Sequence, residues 1–160
     1  MTHPLTHQPS PIPAFYLDKA DPGSWKALNA LAAAVREATD AAGLPRDVVE
    51  LANVRISQIN GCAFCLDLHV RLAEEAGAAP VKLRVLPAWR ETSIFTEIEE
   101  AALTIAEAVT TLPDDDERVA SLESARFALG DKAYSALCWA AATMNTFNRV
   151  SIVSRHRVKA

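Results

Sequence analysis

Two cysteines and a histidine occur at a spacing that would place them on one face of a helix. The segment NGCAFCLDLH contains Cys62, Cys65 and His69. At 3.6 residues per turn the three side chains fall within an arc of about 60°, so the thiols can reach each other and the imidazole can reach Cys65. Unpaired N–H groups at a helix start favour a thiolate there, and a nearby imidazole can accept the thiol proton. The pattern indicates a site that reacts with electrophilic sulfur or oxygen.

Glu50 is the carboxylate that we expect to complete this site. It is the one acidic residue of the segment VVELANVRISQI, which is apolar on nearly every side. A buried carboxylate is costly unless it is paired or hydrogen-bonded, and His69 is the obvious partner. A glutamate that orients the imidazole would give a series of nucleophile, base and orienting group. Ser57, two turns further on the same side, is placed to join that network.

The residues by themselves leave the attacking thiol open. The helix dipole favours a thiolate at Cys62, at the start of the predicted helix, whereas contact with His69 favours Cys65. We follow the second argument, because a base is needed to make the nucleophile.

Other interpretations of these residues are weaker. Inert packing accounts for a lone buried cysteine or histidine better than for CxxCxxxH at a helix start. Zinc could take two thiolates, an imidazole and a carboxylate, but structural zinc sites usually draw ligands from two loops, and the chain has no second CxxC. We interpret Cys138 as a small core residue, and His3, His7 and His156 as solvated.

Composition restricts the class of protein. A chain of 160 residues fits one domain, and 50% hydrophobic with only 6% aromatic residues, together with frequent alanine, favours packed helices. The net charge of −4 with scattered lysine and arginine predicts neither a nucleic-acid nor a membrane partner. The start of the chain does not resemble a signal peptide, and no apolar run approaches the roughly 18 residues of a membrane span. We expect a soluble cytoplasmic protein, in which structural disulfides are disfavoured.

The pattern along the chain predicts an all-α, single-domain bundle of about six to eight helices. Prolines predict an extended arm over residues 1–20, followed by one helical domain over 21–160. We expect the helix over 45–60 to be buried and central, and the CxxC to open a central helix. Asn145, Asn148 and Arg149 should hydrogen-bond a neighbouring helix or subunit. The predicted helices cover residues 23–42, 45–60, 62–76, 81–86, 97–110, 115–129 and 131–154, with a loop through PAWRETS.

The segment ELANVRISQINGCAFCLDLH resembles the active-site signature of the AhpD-like alkylhydroperoxidases of the carboxymuconolactone decarboxylase family. That signature is a glutamate followed about a dozen residues later by CxxCxxxH, and Glu50 precedes Cys62 by twelve positions. The similarity continues in LPAWRETSIFTEIEEAALTIAEAVT and ATMNTFNRVSIVSR, so it covers roughly residues 20–155. Some members have a histidine between the two cysteines, where this chain has Ala63 and Phe64. The resemblance therefore implies that one proton donor is missing.

The resemblance implies an all-α homo-oligomer, commonly a dimer, trimer or hexamer, that acts as a thiol-dependent peroxidase or disulfide reductase. By carry-over, Cys65 attacks the peroxide, Cys62 is the resolving cysteine, and Glu50 with His69 is the proton relay. No bound cofactor or metal is implied. An external dithiol, either a lipoyl group or a thioredoxin-like protein, would reduce the resulting disulfide.

Two alternatives remain beside an antioxidant peroxidase. One is a non-redox lactone decarboxylase that uses Glu50 and His69 for acid–base chemistry, although such chemistry needs no pair of thiols. The other is a non-catalytic, oligomeric redox sensor in which disulfide formation changes helix packing.

Overall fold

The protein is built from α-helices throughout residues 13–159, which are the residues that the computed structural model describes. This part of the chain contains no strand, so the all-α prediction is confirmed. The α-helices of the described residues are α1 (Leu17–Ala20), α2 (Pro22–Ala41), α3 (Arg46–Asn60), α4 (Ala63–Glu75), α5 (Pro80–Val85), α6 (Glu97–Thr111), α7 (Asp115–Leu129) and α8 (Asp131–Ser154), and a 3₁₀ helix (Leu86–Glu91) follows α5.

Local sequence signals set most helix bounds. α6 begins with a capping box, in which the Thr96 side chain accepts the N–H of Glu99 and the Glu99 carboxylate accepts the N–H of Thr96. α7 and α8 have the predicted bounds. The segment PAWRETS was expected to be a loop, but most of it forms the 3₁₀ helix. The reason is that Leu86 and Trp89, three residues apart, are both buried, which a 3₁₀ turn allows.

The predicted N-terminal arm is only partly extended. Residues 1–12 lie outside the described range, and residues 13–16 have no regular structure. Residues 17–20 correct the prediction, because they form α1. The last proline of the arm is Pro13, so no proline prevents a helical turn there, and the N–H of Leu17 donates to Ser154 Oγ at 3.0 Å. This bond ties the beginning of the fold to the end of α8.

Helix α3 is the centre of the fold. It packs against α4, α6 and α8, and the side chains of Leu51, Val54 and Ile56 are fully buried. Burying a side chain of this size contributes about 1.5–3 kcal/mol. The expectation of a central, buried helix here is confirmed. Helix α4, which begins directly after Cys62, packs mainly against α3, and most of its residues are partly or fully exposed.

Helix α8 packs against α3 through small residues and buried amides. Asn60 Nδ2 donates to the Oδ1 atoms of Asn145 and Asn148, each at 2.9 Å, and Asn148 Nδ2 donates to Ser57 Oγ at 3.2 Å. Asn145 also donates to Thr110 Oγ1 in α6 at 2.9 Å. The prediction that these asparagines bind a neighbouring helix is confirmed. The bonds fix α8 against the end of α3, where the cysteines follow.

No helix within residues 13–159 combines the length and the apolar character that crossing a membrane requires.

Candidate active site

A tight turn between α3 and α4 brings the cysteines against the core. Gly61 ends α3 with a φ of 68°, a left-handed conformation that glycine adopts without steric cost. The N–H of Cys62 then bonds back to the carbonyl of Ser57 at 3.1 Å. Cys62 and Cys65 are 2% and 4% exposed, respectively. The sequence prediction that both cysteines face inward is confirmed.

Cys62 caps the N-terminus of α4 with its sulfur. Its backbone is extended, and its Sγ accepts the N–H of Cys65 at 3.4 Å. This is the position at which an anion is favoured, because the first N–H groups of the helix have no partner within it. The CxxC spacing therefore turns the first thiol into the helix cap.

The two thiols divide their protons unequally. The hydrogen bond from the Cys65 thiol lowers the pKa of Cys62 to about 6, against the opposing effect of burial, with smaller contributions from the Cys65 N–H and Ser151. The same hydrogen bond, reinforced by burial, raises the pKa of Cys65 well above its ordinary range. The two sulfurs titrate as one pair, which holds one proton and one negative charge at neutral pH. The charge rests mainly on Cys62.

Glu50 and His69 form the predicted pair. His69 Nδ1 lies 2.6 Å from Glu50 Oε2, and Glu50 is fully buried. Arg46, one turn earlier in α3, is ion-paired with the other carboxylate oxygen, and Asn53 Nδ2 lies 3.3 Å from Oε2. Burial raises the pKa of Glu50, but the hydrogen bond and charge of His69, then Arg46 and Asn53, outweigh it and hold that pKa below its ordinary value. The ionised carboxylate orients the imidazole through Nδ1 and leaves Nε2 for another partner.

His69 is close to the cysteines along the helix but is not bonded to them. Among the described residues, neither cysteine sulfur has a hydrogen bond with the imidazole. The helical spacing suggested that His69 would contact Cys65. In the structure the two side chains instead line the same cavity.

A cavity of about 1060 Å³ opens in front of this wall. Of the two cysteines, Cys65 lines it, together with His69 from the same helix. Helix α2 and the inner face of α8 contribute apolar side chains, among them Trp25, Met144 and Phe147. The charged residues that line it are Asp18, Lys19, Arg36, Arg46, Arg157 and Lys159. The space is large and apolar enough for a substantial organic molecule.

Ser57 does not join the Glu50 network. It is fully buried, but its hydroxyl accepts from Asn148 on α8. The Asn148 side chain also bonds to Cys65, which opposes the increase in the pKa of that thiol. Ser57 and Asn148 therefore pack next to the cysteines, where Ser57 also accepts the N–H of Cys62 through its carbonyl. Helical spacing along α3 could not reveal this arrangement.

His156 was interpreted as solvated, and this is wrong. Its side chain is 17% exposed, and its Nε2 lies 3.2 Å from Asp18 Oδ1. The ring stacks on Tyr16 at 5.5 Å and lies 5.3 Å from the ring of Phe64. Sequence reasoning missed this group because the two members of the ion pair are 138 residues apart. His3 and His7 lie outside the described range.

Cys138 is half-buried and packs against the main core cluster, as expected of a small core residue. Burial is the main reason that its pKa is raised. Within residues 13–159, no three side chains of His, Cys, Asp or Glu converge in a way that could hold a metal ion.

Residues 22–108 match the model of the carboxymuconolactone decarboxylase family. This range includes Glu50, both cysteines of the CxxC and His69. Among solved structures, the fold matches a protein of unknown function from Agrobacterium tumefaciens, named as a candidate antioxidant defence protein AhpD. That match has a TM-score of 0.80 and 29% identity, and covers 92% of this chain and 98% of the other. The AhpD-like fold expected from the sequence is confirmed.

Sequence relatives include the uncharacterized protein YdfG of Bacillus subtilis (strain 168), which is 31% identical over 74% of this chain and 81% of its own length. The alkyl hydroperoxide reductase AhpD of Bradyrhizobium sp. is 38% identical over 65 residues, covering 39% of this chain and 36% of that protein.

Proposed function

Because the chain belongs to the carboxymuconolactone decarboxylase family, we propose that it is a thiol-dependent antioxidant oxidoreductase that reduces organic hydroperoxides through a dithiol and disulfide cycle of Cys62 and Cys65. The observation that carries this proposal is the pairing of the two thiols at the start of α4, where Cys62 accepts the N–H of Cys65 and has its pKa lowered to about 6. A thiolate beside a thiol is the form of a dithiol that reacts with peroxide and then closes to a disulfide.

The proposed cycle begins with the proton that the two sulfurs share. Cys65 lines the cavity and meets the peroxide. Transfer of its proton to Cys62 leaves the negative charge on Cys65, which attacks the terminal oxygen of the hydroperoxide. A sulfur–oxygen bond forms, the oxygen–oxygen bond breaks, and the alkoxide that leaves takes up one proton to become an alcohol. Cys65 is then a sulfenic acid.

The second half of the cycle uses the thiol of Cys62. Its sulfur attacks Cys65 Sγ, and its proton leaves with the hydroxyl group as water. A disulfide between the two cysteines results. The dithiol has lost two electrons, and the hydroperoxide has become one alcohol and one water. An external dithiol then reduces the disulfide by exchange.

Glu50 and His69 act as the proton relay in this proposal. Both His69 and the attacking Cys65 line the cavity, and Glu50 holds the Nδ1 side of the ring at 2.6 Å. Nε2 is thereby left to give the proton that the departing alkoxide requires. The buried carboxylate balances the charge of the imidazolium, so that the proton can be stored there before it is used.

The cavity supports an organic hydroperoxide as the substrate. A volume of about 1060 Å³ with aromatic and aliphatic walls exceeds the needs of hydrogen peroxide and would bury the organic portion of a larger one. The burial of both thiols also suits a reductant that presents its dithiol on a narrow arm, as a lipoyl group does. A thioredoxin-like protein is the other reductant to be compared.

Titration with one equivalent of cumene hydroperoxide tests the function. Free thiols are counted and the intact mass is measured, with Cys138→Ser as the matched control because it removes a cysteine outside the pair. The parent and the control should each lose two thiols and two hydrogens, whereas Cys62→Ser and Cys65→Ser should not form the intramolecular disulfide. Steady turnover should require dihydrolipoamide or reduced thioredoxin. Unchanged thiols in the parent, or lactone decarboxylation that survives thiol alkylation, would contradict the proposal.

A further inference from the structure

A second imidazole, His156, stands beside the cysteine pair. It belongs to the segment after α8, whose first residue, Arg155, turns the chain with a φ of 56°. The N–H of His156 bonds back to the carbonyl of Ser151 at 3.1 Å. This turn folds the segment over the end of α8 and toward the start of α4.

Three contacts hold the ring of His156 in one orientation. Asp18 Oδ1 lies 3.2 Å from Nε2, and the ring of Tyr16 stacks at 5.5 Å with an angle of 18° between the planes. On another side, the ring of Phe64 lies 5.3 Å away. Phe64 stands between the two cysteines in the sequence and has no proton to give. The packing of His156 on it brings an acid–base group to a segment that lacks one.

We propose that His156, oriented by Asp18, is a positioning residue that favours the thiolate form of Cys62. The inference rests on the proposed function of the dithiol, and it adds a pair of residues from α1 and the C-terminal segment to the site. It gives the site two carboxylate–imidazole pairs. The pair of Glu50 and His69 joins α3 to α4, and the pair of Asp18 and His156 lies against Phe64 in the first turn of α4.

Two links connect His156 to Cys62. The first is position: the ring of His156 contacts Phe64, two residues after Cys62, and Ser151, whose carbonyl accepts the N–H of His156, lines the same cavity as Cys65. The second is electrostatic. Beside the hydrogen bonds from Cys65, the charge of His156 is a further, smaller influence that lowers the pKa of Cys62. A cation near a thiolate stabilises it more strongly in a buried site than in water.

The charges around His156 leave Asp18 as its only close acidic partner among the described residues that line the cavity. Lys19 Nζ lies 4.5 Å from the centroid of the Tyr16 ring. Arg46 and His69 are both engaged by Glu50. The remaining charged residues of the lining are Arg36, Arg157 and Lys159. A positive charge on His156 is therefore balanced by Asp18 on one side and by the Cys62 thiolate on the other.

The test measures the first deprotonation of the dithiol. The ultraviolet absorbance of the thiolate is recorded as a function of pH in the full chain, without peroxide. His156→Phe keeps an aromatic ring against Tyr16 and Phe64 but removes the charge. It should leave about three- to tenfold less thiolate than the parent at a pH below the transition. Asp18→Asn should act in the same direction while the imidazole stays in place. Arg157→Gln, which removes a cation one residue along, is the matched control and should change the thiolate fraction by less than about twofold.

Several outcomes overturn the inference. An unchanged transition in His156→Phe would do so, and so would an equal change in Arg157→Gln. If His156→Phe loses its helical circular dichroism, Asp18→Asn decides, and an unchanged transition in that variant also contradicts the inference. Because no peroxide is used, the result is separate from the proposed function. If the variants show the expected change in thiolate fraction but the parent does not consume hydroperoxide, this inference stands and the peroxidase function is refuted.

Discussion

His69 Nδ1 lies 2.6 Å from Glu50 Oε2, across the contact between α4 and α3. The carboxylate is fully buried and the imidazole is largely so, so we expect the pair to stabilise the fold in addition to the proton relay proposed for it. The two roles can be separated by experiment.

Glu50→Gln is expected to reduce the free energy of unfolding by about 3 kcal/mol. The reason is that loss of the carboxylate leaves Arg46 and His69 without their negatively charged partner. Urea denaturation followed by circular dichroism measures the change. Glu74→Gln, which alters an exposed carboxylate of α4, should change the free energy by less than about 0.5 kcal/mol. Equal stability of the two variants would show that the buried pair contributes nothing.

Acid should weaken the fold through the same carboxylate. The pKa of Glu50 lies below its ordinary value of 4.5 in the folded protein, so the unfolded chain binds more protons in that range. Stability from this group is fully present above about 4.5 and is lost as the pH falls toward the folded pKa. Denaturation series at several pH values should show this decrease in the parent. In Glu50→Gln the part of the decrease that belongs to this residue should vanish, and an identical slope in both proteins would refute its origin in Glu50.

Cys65→Ala should raise the pKa of Cys62 from about 6 toward the ordinary thiol range. The reason is that the largest influence lowering the Cys62 pKa is the hydrogen bond from the Cys65 thiol, which alanine cannot give. Thiolate absorbance against pH measures the transition. Cys138→Ala should leave it in place, and a transition near 6 that persists in Cys65→Ala would mean that the helix start alone acidifies Cys62.

Gly61→Ala should destabilise the protein by about 1–2 kcal/mol, because alanine is strained at a φ of 68°. No other atom lies within 4 Å of the position that the new Cβ would take, so the cost comes from the backbone alone. Gly23→Ala, at the start of α2 with an ordinary φ, is the control. Its new Cβ would lie 3.3 Å from Asp21 Oδ1, the end of an exposed side chain that can shift, so the loss should be smaller than in Gly61→Ala. A similar loss in both variants would argue against strain at Gly61.

Ala33→Trp should distinguish large from small peroxides. Ala33 is an exposed residue of α2 that lines the cavity, so a larger side chain there can occupy the space without entering the core. We expect kcat/KM for cumene hydroperoxide to fall about three- to tenfold, which corresponds to the loss of about 0.6 to 1.4 kcal/mol of transition-state stabilisation. The value for hydrogen peroxide should change less than twofold, about 0.4 kcal/mol. Equal losses for both peroxides would show that the cavity does not hold the organic group.

Local residue patterns were sufficient to predict much of the fold and half of the candidate site. The helix bounds depend on caps and on hydrophobic periodicity, which involve residues within one or two turns of each other. The capping box of Thr96 and Glu99 is an example. The Glu50–His69 pair was predictable because a carboxylate within an apolar helix needs a partner, and the chain offered one imidazole on an inward face. The 3₁₀ helix at Leu86 was missed because its short segment has weak local preference and is set by the burial of Trp89.

The sequence by itself determined an all-α chain with an inward-facing CxxCxxxH, and it required a buried partner for Glu50. Only the tertiary structure decided that Ser57 bonds to Asn148 and that His156 returns to Asp18 beside the cysteines. The physical reason is range. Helical spacing and capping are properties of neighbouring residues, whereas the direction in which the chain re-enters after α8 depends on how the whole bundle packs.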